Sequence, residues 1–302
     1  MENLRLPCLS FAFIKIMDFR GALADKKIAV IGLGYVGSQL INLLKKIRQD
    51  TDFEIFEINR KNLDLLAAEE FDYVFNCAGN TGDFRSQPIK TVESNVSLNA
   101  FILENCRIKE SLVALSSTRI YGFSSDRETV FSENDFALQD HLKLESIYDN
   151  AKKLMECLLL NTPRDYRKIG IRLSNVFGKY EAADLDDSTF LKLMLRHKYE
   201  NKPLEVRQNL ENSKDYVFIE DALDGILRGG ILSKTDDVFN ICSGKSYSIK
   251  DWAEFLNLTV RQIDEPQPTH SSVSNAKAEK LLDFAAQNTL EKLSITDVIK
   301  YE

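Results

Sequence analysis

Apolar runs of strand length alternate, through the first part of the chain, with longer stretches whose apolar residues recur at helical spacing. The strand-like runs include KIAVI, DYVFNC and SLVALSS, in which polar and apolar positions do not alternate. Uninterrupted apolar strands are typical of parallel sheets that helices cover on both faces. The pattern therefore predicts an α/β fold built on a doubly wound parallel sheet. Its strands and helices are expected at 27–31, 36–47, 53–58, 73–77, 92–106 and 112–116.

The rhythm loosens after Arg172, where acidic loops separate shorter strand candidates such as LEVRQ, YVFI and VFNIC. Helical spacing recurs there near 188–199, 221–232 and 249–257. We expect this part to form a second, smaller region that covers the first. The expected boundaries are an N-terminal extension at 1–26, a first domain at 27–178 that also takes strands from 215–242, and the second region at 179–302.

Composition narrows the class of protein. The 302 residues are 44% hydrophobic and 28% charged, which suits a chain that buries a large core. A net charge of -7 argues against binding nucleic acid through bulk electrostatics. The five cysteines include no C-x-x-C pair, which favours a reducing compartment. The histidines and cysteines are scattered, so no metal site is predicted.

The most apolar N-terminal stretch, residues 6–17, is too short to span a bilayer and contains Lys15. It also lacks the strong basic start and the cleavage site of a signal peptide. We therefore expect a cytoplasmic protein without a membrane anchor. Whether residues 1–16 belong to the native protein stays open, because Met17 is an alternative start.

A glycine-rich turn follows the first predicted strand. Gly32, Gly34 and Gly37 form the pattern G-x-G-x-x-G between the strand KIAVI and a helical stretch. Such glycines permit a tight turn and a close backbone approach, so that free N–H groups at the helix start can hold a pyrophosphate. The pattern favours a dinucleotide site; a glycine-rich turn without a ligand is the alternative.

The end of the second strand bears on the choice of dinucleotide. An acid there would bind a ribose 2′-hydroxyl, whereas an arginine would bind a 2′-phosphate. The sequence offers Glu57 for the first role and Arg60, followed by Lys61, for the second. All three could equally be solvated surface charges. We favour NADP over NAD as the cofactor, and both stay open.

Three residues have the chemistry of a proton-transfer site. Ser117 ends a buried strand, and Tyr148 and Lys152 lie four residues apart, hence on one helical face. An ammonium beside a phenol lowers the phenol pKa, so we expect Tyr148 to exchange a proton near neutral pH and Ser117 to bind the same substrate oxygen. An exposed Tyr/Lys pair on a helix is the alternative.

Nine segments in this order resemble the NAD-dependent epimerase/dehydratase family, the extended short-chain dehydrogenases/reductases that modify nucleotide sugars. They are VIGLGYVGS, DYVFNCAG, SNVSLNA, LVALSSTRIYG, YDNAKKLME, IRLSNVFG, SKDYVFIEDA, VFNICSG and SNAKAEKLLDF. The resemblance implies a Rossmann-like NAD(P)-binding domain followed by a mainly substrate-binding region. It also implies site residues: catalytic Ser117, Tyr148 and Lys152; substrate-binding Ser117, Thr118, Asn175 and Lys214; and cofactor-binding Gly32, Gly34, Tyr35, Val36, Gly37, Arg60, Ala78, Gly79, Asn95, Tyr148 and Lys152.

The chain departs from the family pattern at several positions. Ile31 replaces the first glycine of the loop, and the region after the second strand is short, as if a strand and helix had been trimmed. Thr118 and Arg119 stand where sugar dehydratases carry an Asp-Glu pair, which argues against elimination of water. Lys214 replaces an arginine, and so offers a point charge where the family has a bidentate fork.

The resemblance implies an NAD(P)-dependent oxidoreductase or epimerase acting on a nucleotide-activated sugar, most simply by 4-ketoreduction or C4 epimerisation with Tyr148 as acid/base. Two alternatives stay open. One is a reductase of a non-nucleotide carbonyl substrate, since the fold hosts many chemistries. The other is a non-catalytic NAD(P)-binding regulator. The expected partners are the nucleotide-sugar substrate and, as an open alternative to a monomer, a second copy in a homodimer.

Overall fold

The computed structural model describes residues 19–79, 84–135, 142–144 and 146–300. The strands are β1 Lys27–Ile31, β2 Glu54–Ile58, β3 Glu70–Asn76, β4 Arg107–Ser117, β5 Val130–Phe131, β6 Arg167–Leu173, β7 Asn175–Phe177, β8 Leu204–Val206, β9 Ser213–Phe218, β10 Asp237–Ile241, β11 Ser246–Ser248, β12 Val260–Gln262 and β13 His270–Val273.

The helices are α1 Arg20–Leu23, α2 Tyr35–Ile47, α3 Leu65–Ala68, α4 Pro88–Val92, α5 Leu98–Asn105, α6 Ser146–Asn161, α7 Phe190–Tyr199, α8 Ile219–Leu232, α9 Ile249–Leu256, α10 Ala276–Leu282 and α11 Ile295–Val298. A π-helical segment, Glu93–Ser97, joins α4 to α5. A short 3-10 helix, Thr118–Tyr121, follows β4. The expectation about residues 1–16 lies outside the described residues.

The main sheet has six parallel strands in the order β2-β1-β3-β4-β6-β10. Helices cover both of its faces. In β1, Ile28 and Val30 pack into the cluster that includes α2 and α8, whereas Ala29 and Ile31 pack into the cluster that includes α5 and α6. Both faces of β1, β3, β6 and β10 are therefore buried, which explains the apolar runs, whereas β2 at the sheet edge exposes Glu54 and Glu57. The predicted doubly wound α/β fold is confirmed.

Chain order reverses between β1 and β3, because β2 lies on one side of β1 and all later strands lie on the other. In open α/β sheets a ligand binds at the carboxyl ends of the strands at such a reversal. The glycine-rich turn begins at the carboxyl end of β1, and Ser117 lies at the carboxyl end of β4. The topology therefore directs the search for a site to the ends of β1, β3 and β4.

The later part of the chain contributes to two layers. Within 215–242, β10 completes the main sheet, whereas β9 pairs with β7, β11 and β13 in a second sheet that also includes β5. β8 and β12 form a separate parallel pair. In the described residues no helix is long and apolar enough to cross a membrane. No cluster of three or more metal-ligating side chains occurs among those same residues.

Candidate active site

The turn after β1 is built so tightly that two of its glycines have no room for a side chain. Gly32 has φ +88°, and a Cβ there would lie 2.5 Å from Cα of Ala78, which follows β3. A Cβ on Gly37, in the first turn of α2, would lie 1.9 Å from the Gly32 oxygen. Beside Gly34, by contrast, the space is open. The turn thus brings the start of α2 to the sheet edge and leaves room for an anion in front of it.

Tyr35 and Val36 take different directions from this turn. The ring of Tyr35 stacks on that of Tyr180, with centroids 5.9 Å apart, and the two hydroxyls are hydrogen-bonded. Val36 packs against the core. Burial raises the pKa of Tyr180 to about 12, so the pair is neutral at working pH. Tyr35 therefore joins the glycine-rich turn to the segment that follows β7.

The end of β2 meets the same turn, because the Gly32 amide donates a hydrogen bond to the Ile58 oxygen at 2.9 Å. The two residues expected to select the cofactor differ in environment. Glu57 is ion-paired with Lys45 of α2 at 2.6 Å. Arg60 follows the strand and is exposed. Arg60 therefore stands two residues beyond Ile58, whose oxygen binds the turn.

A chain of asparagine side chains supports the next part of the site. Asn76, the last residue of β3, donates to Asn99 Oδ1 at 2.9 Å and accepts from the Ala78 amide at 3.1 Å. Asn99 donates to the Asn95 oxygen at 2.9 Å. A Cβ on Gly79 would lie 2.8 Å from Asn95 Oδ1. Of these asparagines the sequence reasoning found only Asn95; the i, i+4 spacing of Asn95 and Asn99 was the available signal.

The structure brings Ser117, Tyr148 and Lys152 together. The hydroxyls of Ser117 and Tyr148 are hydrogen-bonded. Lys152 Nζ donates to the Leu115 oxygen of β4 at 2.6 Å and lies 5.7 Å from the centroid of the Tyr148 ring. Tyr148 is 4% exposed and Lys152 3%. Tyr148 and Lys152 are therefore not an exposed pair on the helix surface, which was the alternative.

Burial shifts the pKa values of Tyr148 and Lys152 in directions that differ from the expectation. Desolvation raises the pKa of Tyr148 to about 12, although the hydrogen bond from Ser117 and the cation of Arg119 act to lower it. Desolvation also lowers the pKa of Lys152 to about 8, against the opposing effect of Glu156 and Cys77. The expectation that Lys152 brings the phenol pKa below 10 is wrong for the protein alone, because burial penalises the charged forms of both groups.

The other predicted substrate residues, Thr118, Asn175 and Lys214, lie on three different elements. Thr118 is buried in the 3-10 helix. Asn175 Nδ2 donates to the Asp215 oxygen at 2.8 Å and so fixes β7 against β9. Lys214 Nζ lies 5.4 Å from the centroid of the Phe123 ring. Burial lowers the pKa of Lys214, and repulsion from Arg119 adds to the effect. The cations of Lys214 and Arg119 therefore lie close enough to repel each other.

Two features of the site were missed at the sequence level. Arg119 lies over the ring of Tyr148, with Cζ 5.6 Å from the centroid, and its Nε is 3.0 Å from Asp149 Oδ1. The ring of Phe84 lies 5.9 Å from that of Tyr148 and covers it from the segment before α4. No sequence motif marks these contacts, since they depend on how the segments fold together.

These features define a Rossmann-like α/β fold in which Ser117, Tyr148 and Lys152 lie close together at the carboxyl ends of the parallel strands. The chain belongs to the NAD-dependent epimerase/dehydratase family, whose sequence profile matches residues 28–242. It is 27% identical over 243 residues to an uncharacterised protein of Methanocaldococcus jannaschii, covering 75% of this chain and 71% of that one. It is 24% identical over 191 residues to a dTDP-4-dehydro-6-deoxyglucose reductase of Escherichia coli, covering 62% of this chain and 57% of the reductase.

Solved structures share the fold. RMD from Pseudomonas aeruginosa, complexed with NADPH, superimposes with a TM-score of 0.73 at 21% identity, covering 90% of this chain and 97% of RMD. UDP-glucuronic acid 4-epimerase from Bacillus cereus, in complex with UDP-glucuronic acid and NAD, has a TM-score of 0.70 at 20% identity, covering 87% of this chain and 95% of the epimerase. At these identities the likeness establishes the fold.

Proposed function

We propose that the protein is an NAD(P)-dependent enzyme that reduces or epimerises a nucleotide-activated sugar at C4. One observation carries the proposal. Ser117, Tyr148 and Lys152 lie close together at the carboxyl ends of the parallel strands, where the glycine-rich turn also lies. The Ser117 and Tyr148 hydroxyls are hydrogen-bonded, and Tyr148 and Lys152 are buried with shifted pKa values. Titratable groups shifted by burial are typical of catalytic sites. The relatives that reduce a dTDP-sugar or bind a UDP-sugar support the substrate class.

The residues present fit a nicotinamide dinucleotide. Gly32 and Gly37 hold the turn close, and the open space beside Gly34 faces the first turn of α2, where a pyrophosphate would be stabilised. A Cβ on Gly79 would lie 2.8 Å from Asn95 Oδ1 and 3.4 Å from Lys152 Nζ, so the glycine lets the remainder of the cofactor approach both residues closely. Lys152 would hold the nicotinamide ribose. When bound, the cofactor supplies hydride transfer.

The protein's own residues would handle the proton. Ser117 and Tyr148 share a hydrogen bond, so one substrate oxygen can bind both hydroxyls. Tyr148 gives a proton to that oxygen when a carbonyl is reduced and takes it back when an alcohol is oxidised. Phe84, packed against the tyrosine ring, excludes water from this exchange. We prefer NADP to NAD because Glu57 is paired with Lys45, whereas Arg60 is exposed beside the turn.

Binding of nucleoside diphosphates tests the substrate class. UDP, GDP, CDP and dTDP are titrated into the NADP(H)-loaded protein by calorimetry. We expect at least one to bind, and Lys214→Ala to weaken it about tenfold or more, the scale of a lost hydrogen bond to a charged group. NADP(H) affinity should stay unchanged. Lys109→Ala, at the opposite end of β4, is the matched control.

Failure of all four nucleotides to bind would contradict the nucleotide-sugar proposal and favour a non-nucleotide carbonyl substrate. Native mass spectrometry of ligands that co-purify with the protein would then name the class directly. With a substrate in hand, net oxidation of NADPH identifies a reductase, and product formation without net change of the cofactor identifies an epimerase. Binding of cofactor and nucleotide without any turnover would favour the regulator.

A further inference from the structure

Two cations lie at nearly equal distances from the ring of Tyr148. Arg119 Cζ is 5.6 Å from the ring centroid and Lys152 Nζ is 5.7 Å from it. Lys152 was expected from the sequence. Arg119 was not, and it reaches the ring from a different element, the 3-10 helix that follows β4.

The guanidinium of Arg119 is held in this position. Its Nε is 3.0 Å from Oδ1 of Asp149, whose side chain is only 9% exposed and which directly follows Tyr148 on α6. Cζ also lies 5.2 Å from the centroid of the Phe84 ring. An arginine that served only as a surface ion-pair partner would not need to stack over two aromatic rings, one of them the proposed acid/base. The geometry therefore places a fixed cation beside the phenol.

The groups around Tyr148 in the described part of the chain come from four elements. The 3-10 helix contributes Arg119, and α6 contributes Asp149 and Lys152. β4 contributes the neutral hydroxyl of Ser117, and the segment before α4 contributes the apolar ring of Phe84. Asp149 disfavours the phenolate, whereas Arg119 favours it. Lys214 repels Arg119 from the substrate side.

We propose that Arg119 is a positioning residue that stabilises the ionised form of Tyr148 during proton exchange, and that Asp149 fixes its guanidinium over the ring. The proposal rests on the proposed function, in which Tyr148 moves the proton. Lys152 has a pKa of about 8 in the protein alone and loses its charge just above neutral pH. A guanidinium keeps its charge at every working pH. Arg119 is therefore the permanent cation of the pair.

Direct titration of Tyr148 tests this inference without needing turnover. The protein is labelled with ¹³Cζ-tyrosine, loaded with NADP⁺, and its tyrosine resonances are followed against pH; Tyr148→Phe assigns the resonance. Arg119→Gln should raise the pKa of Tyr148 by about one unit, the lower end of the range for a charge at this distance because Arg119 is partly exposed and ion-paired. Arg119→Lys should restore most of the shift. Arg107→Gln, at the opposite end of β4, should leave it unchanged.

If Arg119→Gln does not fold, Arg119→Met removes the same charge and replaces it in the comparison. Where turnover is measured, the pH midpoint of the kcat/KM limb that follows Tyr148 should move upward with the titration. An unchanged Tyr148 titration in the neutral variants would overturn the inference, and a rise in KM alone would assign Arg119 to substrate binding instead. If Tyr148→Phe retains full turnover, the proposed function fails while the titration still decides the effect of Arg119 on the phenol.

Discussion

A buried ion pair behind the site gives a prediction whose size follows from the structure. The carboxylate of Glu156 accepts hydrogen bonds from Arg172 Nε at 3.0 Å, from Arg172 Nη2 at 2.7 Å and from the Ser116 hydroxyl. The side chains of Glu156 and Arg172 are 8% and 10% exposed. Arg172 Nη1 also donates to the Tyr121 hydroxyl at 2.7 Å and to the Glu133 oxygen at 3.0 Å. Glu156→Ala would remove the carboxylate that pairs with Arg172 and leave the guanidinium in place.

We expect Glu156→Ala to lower the free energy of unfolding by about 3–5 kcal/mol, the cost of leaving one partner of a buried pair without its counter-charge. Glu70→Ala is the matched control, because Glu70 is paired with Lys109 at 2.9 Å in a surface pair whose side chains are 50% and 55% exposed. The control should cost about 1 kcal/mol or less. The contrast isolates burial, since both variants remove one carboxylate from one ion pair.

Urea unfolding followed by circular dichroism measures both variants, with the m-value checked for constancy. The double variant Glu156→Ala/Arg172→Met should be more stable than Glu156→Ala, because it removes the buried charge that the single variant leaves unpaired. A loss for Glu156→Ala no larger than for Glu70→Ala would refute the reasoning. So would a double variant less stable than the single one.

Two further predictions concern the reaction and the cofactor. Tyr148→Phe should keep the fold and NADP(H) affinity but lower kcat by about a hundredfold or more, as expected when a positioned acid/base is removed; steady-state turnover measures it, and an unchanged kcat would contradict the catalytic role. Arg60→Ala should weaken NADPH binding by about 1.5–3 kcal/mol and leave NADH binding unchanged, because only NADPH carries a 2′-phosphate. Calorimetric titration of both cofactors measures this, with Arg48→Ala, at the far end of α2 from the turn, as control, and equal wild-type affinities would contradict it.

Most of the main sheet could be predicted because most of its strands are buried on both faces, although β6 was not among the expected strands. β3, β4 and β10 each contain a mostly apolar run in the sequence, and α2 and α8 show clear helical periodicity. The second sheet could not be predicted in the same way. β7 and β11 have three residues each, too few to show a period, and β13 pairs with β9 across a long sequence separation. Tertiary pairing rather than local pattern decides such strands.

In the candidate site, too, some features could be predicted from the sequence and others depend on tertiary packing. The spacing of Tyr148 and Lys152 fixes a shared helical face, so their proximity was readable from the sequence. Their charge states were not, because these depend on burial beneath Phe84 and against β4. The position of Arg119 over the Tyr148 ring likewise depends on the turn after β4. A sequence motif identifies the reacting groups, whereas packing sets their pKa values.

The buried ion pair between Glu156 and Arg172 links the stability of the fold to the charge of the candidate site. Ser116, which donates to Glu156, directly precedes Ser117 at the end of β4, and Glu156 lies one helical turn beyond Lys152 on α6. The pair therefore fastens the strand that carries the proposed oxygen-binding serine to the helix that carries the proposed tyrosine and lysine. The same carboxylate also opposes the loss of charge on Lys152 that burial causes. Removing it should thus weaken the fold and lower the pKa of Lys152 together, so that stability and charge at the site depend on one buried contact.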